Sequence, residues 1–75
     1  MPIINVKLID NVFTAEQKQQ MIEKLTNTMV EIEGEAMRGV TWVYIEEVEE
    51  GSFGIGGQPL MAADIHALQR GETAA

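Results

Sequence analysis

Pro2, in the opening run Met1-Pro2-Ile3-Ile4-Asn5-Val6, is the residue whose type and position most directly suggest chemistry. Once Met1 is removed, the proline nitrogen is a free secondary amine and the sole ionisable backbone nitrogen of the chain. Amino termini titrate near neutrality, at roughly pKa 7.7–8.0, so this amine is a base within reach of physiological pH. Burial beside apolar strand residues disfavours its charged form and lowers the pKa further, which is how a general base is made available. Other reactive side chains are sparse. Cysteine is absent, and His66 is the only histidine. It reads as a solvent-facing residue of a terminal helix. Glu46, Glu47, Glu49 and Glu50 form a charge run with nothing converging on it. They read as a solvated strand end and loop, and neither a metal nor a cofactor is expected. The segment Ser52-Phe53-Gly54-Ile55-Gly56-Gly57-Gln58-Pro59 is glycine-rich, but it lacks the spacing of a dinucleotide fingerprint or a phosphate loop.

The elements that must position Pro2 follow from periodicity. Ile4, Val6 and Leu8 alternate with Asn5 and Lys7, predicting a strand with one buried face at about 2–9. Thr14-Ala15-Glu16-Gln17 is a capping box. The helix it starts carries Met21, Ile22, Leu25, Met29 and Ile32 on one side, with Thr28 completing the stripe, and Gly34 ends it. Thr26 and Val30 fall on the polar side, where Val30 reads as a stray exposed residue. Val40-Thr41-Trp42-Val43-Tyr44-Ile45 is β-prone on both faces and predicts an inner strand at about 40–47, covered on two sides. Strand, helix and strand make a βαβ unit with parallel strands. A glycine-built hairpin and a short helix at about 61–70 follow, leaving a frayed tail at about 72–75. The fold class is therefore α+β: a β-α-β subunit with parallel strands, a C-terminal hairpin and a short helix, in a single domain spanning 1–75.

Size and charge constrain partners. A chain of 75 residues that is 45% hydrophobic buries only about 60% of its unfolded surface. Without disulfides or structural zinc, subunit association is the remaining source of stability, so an oligomer is expected. No apolar run approaches the roughly 20 residues of a membrane span and no signal peptide is evident, making the cytoplasm the default compartment. The net charge of −7 opposes binding to nucleic acid and to anionic membranes.

The proline terminus, the strand, the helix led by Glu16-Gln17-Lys18, the second strand and the Phe53-Gly54-Ile55-Gly56-Gly57 hairpin together resemble the 4-oxalocrotonate tautomerase family over roughly residues 2–60. The resemblance implies a tautomerase/MIF-like fold and a homohexamer built as a trimer of dimers. It further implies an isomerase in which Pro2 is the general base for keto-enol proton transfer on a small carbonyl or enol substrate. On this resemblance Phe53 matches the aromatic that lines the pocket and keeps it dry. Two arginines of the family's prototype are missing. The turn that should carry the first reads Asp10-Asn11-Val12-Phe13, one residue longer, and the position of the second falls on Trp42. Val and Trp cannot supply bidentate guanidinium recognition, so the expected substrate is less anionic than a dicarboxylate. Arg38 and Lys7 are the candidate replacement cations, with Trp42 as a further substrate-binding candidate. Arg38 lies too far along a strand to substitute directly, although it can reach in from a neighbouring subunit. Its plainer reading is a solvated loop residue, as that of Lys7 is an exposed sheet or interface lysine. Two alternatives share the scaffold: a hydratase or dehalogenase-type reaction with cationic Pro2, and an inactive or scaffold subunit of a mixed oligomer.

Overall fold

The computed structural model describes residues 1–71, and the tail expected at 72–75 lies outside the described residues. Strand β1 (Ile3–Ile9), helix α1 (Ala15–Glu33), a 3-10 helix (Glu35–Val40) and strand β2 (Trp42–Val48) come first. Strands β3 (Gly54–Ile55) and β4 (Gln58–Pro59) and helix α2 (Ala62–Gln69) complete the chain. β1 pairs with β2 in parallel, and β3 pairs with β4 in a small antiparallel hairpin. Among the described residues no helix is long and apolar enough to cross a membrane.

The chain divides into two compact units. Unit one holds Met1–Val6 and Thr14–Glu46. Its helix begins as the sequence predicts: the Gln17 amide donates to the Thr14 hydroxyl at 3.1 Å, and the Thr14 amide donates to the Gln17 side chain at 2.9 Å. It ends at Gly34, whose φ of 105° is one that a side chain would resist. Half-buried Ile4, Val6, Val43 and Ile45 supply the inner face of the strands, and Met21, Leu25 and Met29 that of the helix. A β-α-β unit buries such surfaces against one another.

Three expectations change here. Val30 is buried and Thr26 half-buried, whereas Ile22, Thr28 and Ile32 are exposed, Ile32 at 78%. The covered arc is turned about one residue step from the stripe drawn through the apolar residues, so that it includes Val30 and Glu33. Reading apolarity alone could not reveal this, because Ile32 and Val30 are equally hydrophobic and only the direction of the covering layer separates them. The segment after Gly34 is a 3-10 helix that takes in Arg38, read as a loop residue, and Val40, so β2 starts at Trp42 rather than at about residue 40; four residues there span about 8 Å instead of the roughly 13 Å of a strand. Finally, within one chain β2 is covered on one face, with Trp42 at 53% and Tyr44 at 47% exposed on the other, so the second cover expected for this strand is not supplied by the chain itself.

Unit two holds Lys7–Phe13 and the chain from Glu47 onward. The hairpin turn is Gly56-Gly57, with φ of 59° and 83°. Positive φ at both central residues is the requirement of a type I′ turn, whose twist matches the flanking strands. The Leu60 amide donates to the Phe53 carbonyl at 2.7 Å and closes the base of the hairpin. Helix α2 has no capping side chain immediately before it. Its first-turn amides are instead taken up by Asp64, which accepts from the Met61 amide at 2.9 Å, and by Glu50, which accepts from the Ala62 amide at 2.7 Å. Among the described residues only Val12, Val30 and Ala62 are buried. So thin a core accords with a chain that leaves much of its apolar surface to be covered by something else.

Candidate active site

Pro2 is half-buried at the foot of β1, and its nitrogen is joined to an exposed Met1. Strand pairing fixes its position: the Trp42 amide donates to the Pro2 carbonyl at 3.0 Å. This parallel ladder sets Ile3 beside Trp42, both exposed, so an apolar sheet face starts next to the proline. Tyr44 and Asn5 continue that face, and Asn5 donates to the Glu46 carboxylate at 3.2 Å. Pro2 and Trp42, two sequence candidates forty residues apart, are thus neighbours.

Arg38, in the same unit, is held by its own surroundings. Its Nε and Nη2 donate to the two oxygens of Glu35 at 2.8 and 3.2 Å, and its Nη1 donates to Asn27 Oδ1 at 2.9 Å. The Glu35 hydrogen bond raises the guanidinium's pKa above its ordinary value and lowers that of the carboxyl. The 3-10 helix brings Glu35 and Arg38 onto one side, since residues three apart eclipse there. An incoming substrate anion must compete with this pair for the fork.

The remaining candidates, Lys7 and Phe53, share a cavity of about 270 Å³ in unit two. Its walls come from Lys7, Leu8 and Ile9 of β1 and from Val12 and Phe13 of the turn that follows. Val48, Phe53 and Ile65 close the other sides. Phe53 is 46% exposed, so a large part of its ring faces open space. Lys7 is exposed, and among the described residues no hydrogen bond or ion pair engages its ammonium. Val12, Phe13 and Ile65 escaped the sequence reading. The available signal was an apolar pair, Val12-Phe13, in a turn otherwise built from Asp10 and Asn11.

A polar brace lies in the same unit. The Asn11 side chain donates to Glu50 Oε2 at 2.8 Å, the Glu50 amide donates to Asp10 at 2.9 Å, and Glu50 Oε1 receives the Ala62 amide. The bonds received by the Glu50 carboxylate, from the Ala62 amide foremost and then from the Asn11 side chain, pull its pKa below the ordinary carboxylate value. His66 is half-buried rather than solvent-facing: its Nε2 lies 3.2 Å from the Asn11 carbonyl and its Nδ1 3.0 Å from Gln69 Oε1. Glu50, read as part of a solvated run, is therefore a structural ligand of two turns, while Glu46, Glu47 and Glu49 remain exposed.

Comparison with known proteins brings these features under one heading. The family described as "Tautomerase enzyme" matches residues 2–63. The "Probable tautomerase K2" of Dickeya dadantii is 40% identical over 58 residues, covering 77% of this chain and 85% of the relative. Among solved structures, apo unfused 4-OT is 37% identical with a TM-score of 0.70, covering 79% of this chain and 93% of that one. DmpI from Helicobacter pylori is 36% identical with a TM-score of 0.67, over 79% of this chain and 95% of that one. The chain therefore belongs to the tautomerase family, of the 4-oxalocrotonate tautomerase type, and is an enzyme of the isomerase class.

Proposed function

We propose that this chain is a tautomerase in which Pro2, freed by removal of Met1, is the general base for keto-enol proton transfer on a small carbonyl or enol substrate. The observation that carries the reading is that the family match begins on Pro2 itself, a residue that is half-buried rather than left in open solvent. The lone pair of the neutral amine takes a proton from an enol hydroxyl, or from carbon next to a carbonyl. The electrons of the broken bond move into the conjugated skeleton, and the same proton is returned at another atom. Nothing is oxidised or reduced, so no cofactor is required. Desolvation keeps the amine neutral near pH 7, and Trp42, whose amide donates to the Pro2 carbonyl, is the aromatic group assigned to exclude water beside it. The working form is an oligomer, with a hexamer as the arrangement proposed. Its support within this chain is the open apolar face of Ile3, Trp42 and Tyr44, which subunit association would cover.

The test is turnover of a simple enol by protein whose intact mass shows Met1 removed. Pro2→Ala is expected to lower turnover by about 10²–10⁴-fold, the range of a positioned acid-base group, without altering the oligomer. In the parent protein, turnover should rise with pH through the titration of the amine, which must be deprotonated to act. Unchanged turnover in the variant, or activity that falls over that pH range, defeats the reading.

A further inference from the structure

The family match ends at residue 63, inside the first turn of α2, so Ile65, His66 and Gln69 lie past it. The two solved structures compared above are covered over 93% and 95% of their own lengths by 79% of this chain, which leaves the chain with residues beyond that shared scaffold. What α2 holds on to is the turn after β1. The Asn11 side chain donates to Glu50 Oε2 at 2.8 Å, Glu50 Oε1 accepts from the Ala62 amide at 2.7 Å, and one helical turn later His66 Nε2 lies 3.2 Å from the Asn11 carbonyl. The ties form a closed circuit that leaves from Asn11 and returns to it. A carbonyl oxygen can only accept, so His66 Nε2 is the donor and carries a proton, whether the imidazole is neutral or charged. Nδ1, 3.0 Å from Gln69 Oε1, anchors the other edge of the imidazole to α2 itself.

Both segments joined by the circuit are weak alone. Asn11 is the sole non-glycine residue at positive φ among the described residues, at 64°, a conformation that persists where its surroundings hold it. Helix α2 has eight residues, short of the roughly 12–15 at which a helix begins to stand by itself. Ala62, Ile65, His66 and Gln69 recur at i, i+3, i+4 and i+7 on one helix face, along which Ala62 is buried and Ile65 and His66 are half-buried. Ile65 lines the cavity of unit two, and the turn contributes Val12 and Phe13 to the same cavity. We infer that α2 is a strap added to the family scaffold, and that His66 is the positioning residue that locks it to residues 10–13, so that strap and turn hold or release this cavity's wall as one cooperative unit. The inference concerns unit two alone and is independent of the role of Pro2.

The experiment is amide hydrogen exchange by NMR on the full chain at neutral pH, comparing the parent with His66→Ala and His66→Gln. His66→Ala is expected to lower protection about ten-fold, and alike, at Ala62 and Arg70 of the strap and at Asp10 of the turn, whose amide donates to the Val48 carbonyl. The Gly34 and Trp42 amides, hydrogen-bonded in unit one, should keep their protection within about three-fold. The Val12 and Ile65 methyl resonances should shift in the same variant, because both residues line the cavity. His66→Gln, whose side-chain amide can donate to the same carbonyl, should restore most of the protection. A loss confined to α2, an equal loss at Gly34 and Trp42, or a His66→Gln variant no better protected than His66→Ala would each overturn the inference.

Discussion

The two units of this small protein both expose apolar surface, yet they expose it differently. In unit one Ile3, Trp42 and Tyr44 form an open strand face, and Arg38 is tied to Glu35 and Asn27. In unit two the apolar residues curve around a cavity, and Lys7 at its wall has no partner among the described residues. Curvature and the state of the nearest cation therefore separate two kinds of exposed apolar surface. An open face with its charges already neutralised is complementary to another protein surface. A concavity is complementary to a small molecule.

The contrast breaks most readily on unit one. Tyr44→Lys puts a charge in the middle of the open face and is expected to weaken subunit association at least ten-fold, about 1.4 kcal/mol, read as a shift to smaller species in sedimentation velocity at micromolar protein. Association unchanged by that substitution would mean the face is not an interface. A smaller effect sharpens the cation comparison. Arg38→Gln is expected to change kcat/KM by less than about three-fold, because the guanidinium is already committed to Glu35 and exposed pairs of this sort contribute little. A ten-fold or greater loss would instead make Arg38 a cation that the substrate engages. The least effect concerns the brace of unit two. Glu50 has a depressed folded pKa, so its contribution to stability is present above roughly pH 4.3, the ordinary glutamate value, and is lost as pH falls through the lower folded value. The Ala62 amide proton should move upfield on acidification as its hydrogen bond to the carboxylate weakens, and this titration should vanish in Glu50→Gln. An Ala62 resonance indifferent to pH in the parent protein would remove Glu50 as the cap of α2.

Much of the architecture was legible because it is local. The strand at β1 follows from alternation of Ile4, Val6 and Leu8, the start of α1 from the Thr14/Gln17 capping box, and the hairpin from Gly56-Gly57, each fixed by the geometry of a few neighbouring residues. What was misread depends on contacts between distant residues. Val30 and Ile32 have the same chemistry, and only the layer lying over α1 decides which of them is buried. Glu50 looked like one acid in a run of four, yet it caps a helix that begins twelve residues later. His66 is drawn to the Asn11 carbonyl fifty-five residues away, which no pattern around position 66 announces.

The candidate site divides along the same line. Residue type alone singled out Pro2, since only a chain terminus turns a backbone nitrogen into a base, and the absence of arginine at the expected turn already pointed away from dianions. Tertiary structure decided the rest: that Trp42 hydrogen-bonds to Pro2, that Arg38 is occupied while Lys7 is not, and that Val12, Phe13 and Ile65 join Phe53 around one cavity. The physical reason is that a side chain's chemistry is written in its own atoms, whereas its burial, its partner and the cavity it lines are properties of whatever the folded chain sets against it.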